Sequence, residues 1–198
     1  MDLTAYLRIQ AHANRLMNQR LHAAMAPLSL AELQAPRSSF FPTLMATLNH
    51  ILGVDLYYVA ALLAEPNPDQ AWQRFVPAQT LPELAAAQRA SDQRLLDFAN
   101  TLDAAACARE VLMPRGGSGG NQRIQRDRVA PVLAHLFMHQ THHRGQVHAM
   151  LSGTSVAPPQ LDEFMMPSEA HLRVSDMASA GWTEAQVYGA APFNAARP

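Results

Sequence analysis

Residues 44–64 read LMATLNHILGVDLYYVAALLA. The run holds one charge, Asp55, and one histidine, His50, among residues that are apolar on nearly every side of a helical wheel. A helix of that kind is buried on more than one side, so it requires neighbouring elements to cover it. The helix is predicted from about Ser39 to Glu65, where the two prolines of EPNPDQ stop it.

Three more segments carry helical periodicity. From Asp2 to Met25, Leu3, Tyr6, Leu7, Ala13, Leu16, Met17 and Leu21 recur at three- and four-residue spacing. A third helix is expected over Leu81–Ala106. Thr80 and Glu83 have capping-box spacing there, and Pro82 falls in the first turn. A fourth is expected over Asp127–Leu151. Between the first two helices, Ser29 can cap a single turn. Between the last two lies REVLMPRGGSGGNQRIQRD, with four of the chain's nine glycines. Short extended runs about a glycine-rich tip predict a β-hairpin or loop near Arg115–Asn121. No GxxxxGK[ST] pattern follows the glycines, so the phosphate-binding reading lacks its lysine.

The resulting expectation is an all-α protein: a four-helix bundle of antiparallel type, with a small β-hairpin or loop before the last long helix and a short C-terminal helical extension. In that extension Ser168 and Gly181 can bound a fifth helix, Thr183–Gly189 can add a turn, and Ala191–Pro198 reads as irregular.

Composition narrows the function classes. The chain has 198 residues, 48% hydrophobic and 16% charged, enough for one compact domain. A net charge of -1 gives no basic field for a nucleic acid. No stretch is apolar for the roughly 18 residues a membrane span needs. The first residues lack the basic start and apolar run of a signal peptide. The single cysteine, Cys107, excludes an internal disulfide and fits a reducing cytoplasm. At the end of a helix it reads as a small core residue.

HQTHHRGQ, residues 139–146, carries the chemistry. On the fourth helix His143 falls near the middle of the face defined by Val132, Leu136, Val147 and Met150, and His139 lies about 40° to one side. Two imidazoles four residues apart sit on adjacent turns and can grip one divalent cation. The alternative is a pair of core histidines hydrogen-bonded to neighbours. His135 and His142 lie on the flanks, and His148 points to the opposite side. His50 is the third candidate ligand, although the wheel cannot say which way it points. Three neutral imidazoles leave a tetrahedral cation one open position. Gln140 stands where an HExxH motif has its glutamate, so that route to peptide hydrolysis has no general base.

These stretches resemble a known family. SFFPTLMATLNHILGVDLYYVAAL (residues 39–62), LAHLFMHQTHHRGQVHAML (residues 133–151), ANRLMNQRL (residues 13–21) and PPQLDEF (residues 158–164) look like the DinB-like (YfiT-like) metalloenzymes. The likeness covers residues 1–165 and leaves 166–198 as an extension, packed on the bundle or partly irregular. It implies a four-helix bundle, often dimeric, that binds a divalent metal, nickel or zinc. Carried over by motif, the ligands are His50, His139 and His143. Some relatives are thiol-dependent transferases or isomerases that use a low-molecular-weight thiol.

The expectation is therefore a metal-dependent enzyme, an S-transferase or hydrolase acting on a small molecule, with no catalytic side chain assigned. The alternative is a non-catalytic metal-binding protein of stress or interaction type. A homodimer is expected from the likeness and from the all-round apolar second helix. Gln146, Asp55 and Tyr57 are candidates to orient a ligand or a bound water. Tyr57 and Tyr58 otherwise serve as packing residues. Arg144 is expected either to pair with Asp55 or Asp162 or to stay solvated at the surface.

Overall fold

The computed structural model describes residues 1–116, 123–162 and 166–189. Four long helices dominate it: α1 over Leu3–Met25, α3 over Leu44–Leu62, α5 over Leu81–Asn100 and α7 over Val129–Leu151. Shorter elements join them: α2 (Leu30–Gln34), α4 (Asp69–Gln73), α6 (Ala104–Ala108), and a hairpin of β1 (Glu110–Arg115) and β2 (Arg123–Arg128). A 3-10 turn over Pro167–Leu172 then leads to α8 (Val174–Ala180) and α9 (Glu184–Tyr188). The protein is all-α, with one small antiparallel sheet whose register runs from Glu110 opposite Arg128 to Arg115 opposite Arg123. The expected glycine-rich tip and the irregular Ala191–Pro198 lie outside the described residues.

Local chemistry sets the boundaries. The Thr80–Glu83 capping box and the Ser29 cap both form. α3 begins at Leu44 rather than Ser39 because Thr43 caps it, its side-chain oxygen accepting from the Ala46 N–H. Pro42, just before that cap, keeps Phe41 out of helical geometry. The third helix stops at Asn100, and Asp103 caps a separate short helix, α6. α7 starts at Val129, since Asp127 and Arg128 belong to β2. α4, in the stretch read only as a helix stop, was not expected. In place of one fifth helix over 168–181 there is the 3-10 turn followed by α8, which ends at Gly181 with φ +70°.

Two apolar clusters define the course of the helices. One joins Leu7 of α1, Val59 and Leu62 of α3, Leu95 and Ala99 of α5, and Val129 and Leu136 of α7. The other joins Leu21 and Met25 of α1, Leu44 and Leu48 of α3, Leu84 of α5, and Val147 and Leu151 of α7. The start of α1 thus meets the end of α3, the end of α5 and the start of α7. It follows that α1 and α7 run one way and α3 and α5 the other. The bundle mixes parallel and antiparallel neighbours instead of being antiparallel throughout, because the connection that carries α4 returns along its length, from the end of α3 in one cluster to the start of α5 in the other.

α3 buries 15 of its 19 residues within this single chain, beneath α2, α4, α5, α7 and β1. The expectation that it needs a second subunit for cover is therefore removed. The 166–189 segment folds back on α1, where Met177 and Val187 pack on Ala13 and Leu16, and Arg20 pairs with Asp176 at 2.7 Å.

A candidate three-histidine metal centre

Between the two apolar clusters lies a level at which all four long helices present polar side chains. On one side of it, α3 and α7 bring His50, His139 and His143 together, with one ring nitrogen of each within 4.8 Å of the others. The Nε2 atoms of His50 and His139 are 3.0 Å apart. The His50 ring meets the His143 ring edge-on at 4.5 Å, and the His139 and His143 rings are 4.4 Å apart. Placing His139 and His143 four residues apart on α7 produces the second contact. The first depends on tertiary packing, which turns His50 toward α7.

The nitrogens are prepared as neutral donors. Burial, with the neighbouring imidazole His143, pulls the His50 pKa down to about 4. Burial and the surrounding histidines pull His139 to about 3. Burial also lowers His143, against the raising effect of its bond to Gln146. All three are therefore uncharged at neutral pH, as metal ligation requires.

Gln146 positions one of them. Its Oε1 accepts from Nδ1 of His143 at 2.8 Å, which leaves the His143 Nε2 lone pair free to face the other rings. Its amide nitrogen donates to His142 Nε2 at 3.2 Å, so His142 buttresses the glutamine. Among the described residues, Nδ1 of His139 is buried without a partner. His50 Nε2 is only 3.0 Å from its Nε2, and a cation between the rings would take both lone pairs in place of the hydrogen bond that one ring can donate to the other. The donor set fits a borderline divalent cation such as zinc or nickel.

Aromatic rings wall the histidines. Phe41 stacks on His50 at 4.3 Å, and the edge of Trp72 approaches His50 at 6.2 Å. Neither residue was singled out by sequence, since nothing in FFP or DQAW marks it as adjacent to His50. The other expected residues lie elsewhere. Tyr57 donates its hydroxyl to the Pro114 carbonyl at 2.8 Å, and Tyr58 contacts His135 at a ring distance of 5.3 Å. Cys107 is a buried core residue whose thiol is pushed up by burial.

Asp55 lies on the inward side of the same level, in a buried polar layer. Gln88 donates to Asp55 at 2.7 Å and to Asp92 at 3.0 Å. Asn14 and Asn18 donate to Asp92 at 3.2 and 3.1 Å. Arg144, 2% exposed, donates to the Asn14 and Asn18 side-chain oxygens. The expected Arg144 partners are thus corrected. Its hydrogen bonds go to two asparagines that pass its charge toward Asp92, while Asp55 is a near neighbour. Asp162 takes its bond from Gln160 instead, and Arg144 is not solvated. The polar layer was missed, though three i,i+4 polar pairs signal it: Asn14/Asn18, Gln88/Asp92 and Gln140/Arg144.

No curated protein matches the chain. A family model does, over residues 5–174, which spans all four long helices and all three histidines. The match agrees with the bundle and with the motif-borne likeness, and on it the chain belongs to the DinB family.

Proposed function

We propose that His50, His139 and His143 hold one divalent cation, nickel or zinc, and that the protein is a metal-dependent enzyme acting on a small molecule. The convergence of three neutral ring nitrogens carries this reading. The bound cation would supply Lewis acidity, letting a thiol or water lose its proton near neutral pH. The chain's own residues hold the imidazoles uncharged, fix the His143 ring through Gln146, and exclude water with Phe41 and Trp72. Gln140 is buried and cannot accept a proton, so the proton leaves with substrate or solvent.

A low-molecular-weight thiol suits such a site, because its proton is lost readily and the thiolate prefers a borderline metal. S-transfer to a small electrophile is accordingly the favoured reaction. His50 and His139 are only partly buried, which supports an open coordination position over the closed site of a purely structural metal. No helix among the described residues is long and apolar enough to cross a membrane. The free, buried Cys107 suits the cytoplasm. A homodimer remains part of the reading on the family likeness alone.

The test begins with metal analysis of the purified protein and of His143→Ala. The parent should carry about one equivalent and the variant none. A screen of thiols with a generic electrophile then follows, comparing parent, chelated parent and His139→Ala. Stoichiometric metal in His143→Ala, or equal conjugation rates in all three, sinks the proposal.

A further inference from the structure

Two turns along α3 from His50, the chain builds a second feature that the metal centre does not use. A cavity of about 390 Å3 lies between α3, α4 and the end of β1, lined by nine residues that include Val54, Tyr57, Tyr58, Trp72, Pro114 and Arg115. Such a volume suits one ring with a few substituents. Three of the nine lining residues are aromatic, which favours a flat, apolar guest.

Arg115 supplies the polar end. Its guanidinium lies 5.0 Å from the Tyr57 ring centre and 5.2 Å from that of Tyr58, and it donates to the Tyr58 hydroxyl at 2.5 Å. That contact uses one arm of a planar fork with five donors. Among the described residues no carboxylate forms an ion pair with it. The Tyr57 hydroxyl is committed to Pro114, which holds the wall and the base of Arg115 in place. Asp69 also borders the cavity and accepts from Gln73 at 2.8 Å. Its charge opposes a dianion such as phosphate, so a monoanion on the Arg115 side is the better fit.

The cavity and the histidines share a wall. Trp72 borders the one and sits edge-on to His50. Gly53 permits this arrangement: a Cβ there would lie 3.1 Å from the Trp72 ring and 3.2 Å from Phe75, so a larger residue would force both rings to give by a few tenths of an ångström. Val54 and Tyr57 follow His50 by four and seven residues, and the latter is about 10 Å further along the helix axis. That span matches a single substituted ring.

We propose that this cavity binds the aromatic carboxylate end of a small-molecule ligand, clamping its carboxylate at Arg115 and its ring against Tyr57, Tyr58 and Trp72. The opposite end of the ligand points along α3 to the three histidines. That second statement rests on the metal-centre reading above, whereas the binding site itself does not.

The probes are trans-cinnamate, its neutral analogue cinnamamide, and the non-aromatic hexanoate. Binding is followed by calorimetry and by Trp72 fluorescence in a Trp182→Phe background, with metal-loaded and metal-stripped protein. Cinnamate should bind both forms, with cinnamamide and hexanoate each weaker by about tenfold or more. Arg115→Ala should lose about tenfold for cinnamate and nothing for cinnamamide, and Arg115→Lys should fall between them. Helical circular dichroism checks that each variant folds. Equal affinity for acid and amide, unchanged cinnamate binding in Arg115→Ala, or no binding by the metal-stripped parent overturns the proposal. Arg115-dependent binding by a parent that takes up no metal upholds the cavity and refutes the metal-centre reading. Normal metal uptake without cinnamate binding does the reverse.

Discussion

Asp55 is 1% exposed, and its Oδ1 has no hydrogen-bond partner, although Gln88 satisfies Oδ2. The buried Gln140 amide lies beside it, outside ideal hydrogen-bond geometry but close enough to favour the ionised carboxylate. Burial first, and the Asp92 charge second, raise the Asp55 pKa to about 7. In the unfolded chain the group titrates near 3.8. Between those values the folded protein keeps a proton that the unfolded chain has lost, so this contribution to stability is full below pH 4 and declines as pH rises to about 7. Asp55→Asn cannot ionise and lacks that slope. Denaturant titrations of both proteins should show the parent's advantage over Asp55→Asn shrinking across this window. The buried histidines tilt stability the other way, gaining it as pH rises, but they are common to both proteins and cancel in the difference. A difference that stays flat would show that Asp55 is ionised throughout.

At the scale of elements, α7 does two jobs on adjoining faces about 100° apart. His139 and His143 face α3, while Gln140 and Arg144, one position on from each, face the polar layer. Anchoring Arg144 to Asn14 and Asn18 of α1 therefore fixes the rotation that presents both histidines. Arg144→Met would leave Asp92 buried without its countercharge and should destabilise the protein by about 3–5 kcal/mol in chemical denaturation. A cost below 1 kcal/mol would mean that the asparagines alone satisfy Asp92. The partners of Arg144 show where sequence reading stops. The α7 histidine pair was legible because i,i+4 spacing is a property of one helix. The direction of His50 was not, because α3 is apolar on nearly every side. Arg144 was assigned a carboxylate since charge pairing is the simplest rule, yet its partners come from a helix about 130 residues earlier. The Ser29 cap and the Thr80 capping box were readable because they are local. α4 was not, since five residues beside prolines show no period and Trp72 is held by contact with Gly53.

Across the whole molecule, a cation at the three histidines would tie α3 to α7 through residues 89 positions apart, at the level between the two apolar clusters. The three rings converge only when both helices are docked, so a metal held there would bind the folded chain and not the unfolded one. Stability then rises with free metal as RT ln(1 + [L]/Kd), about 2.7 kcal/mol at a hundredfold excess over Kd. For a domain of this length that raises the melting temperature by about 5–10 °C. Zinc or nickel should produce this shift in scanning calorimetry of the stripped protein, and chelator should reverse it. His139→Ala should melt near the stripped parent and respond to neither metal. Asp55→Asn should keep the full metal response, because its side chain is bonded on the inward side of the bundle and touches no ligand. If the stripped parent melts at the same temperature with saturating metal as without it, the three histidines do not join α3 to α7 through an ion. Their proximity would then be a packing contact between neutral rings.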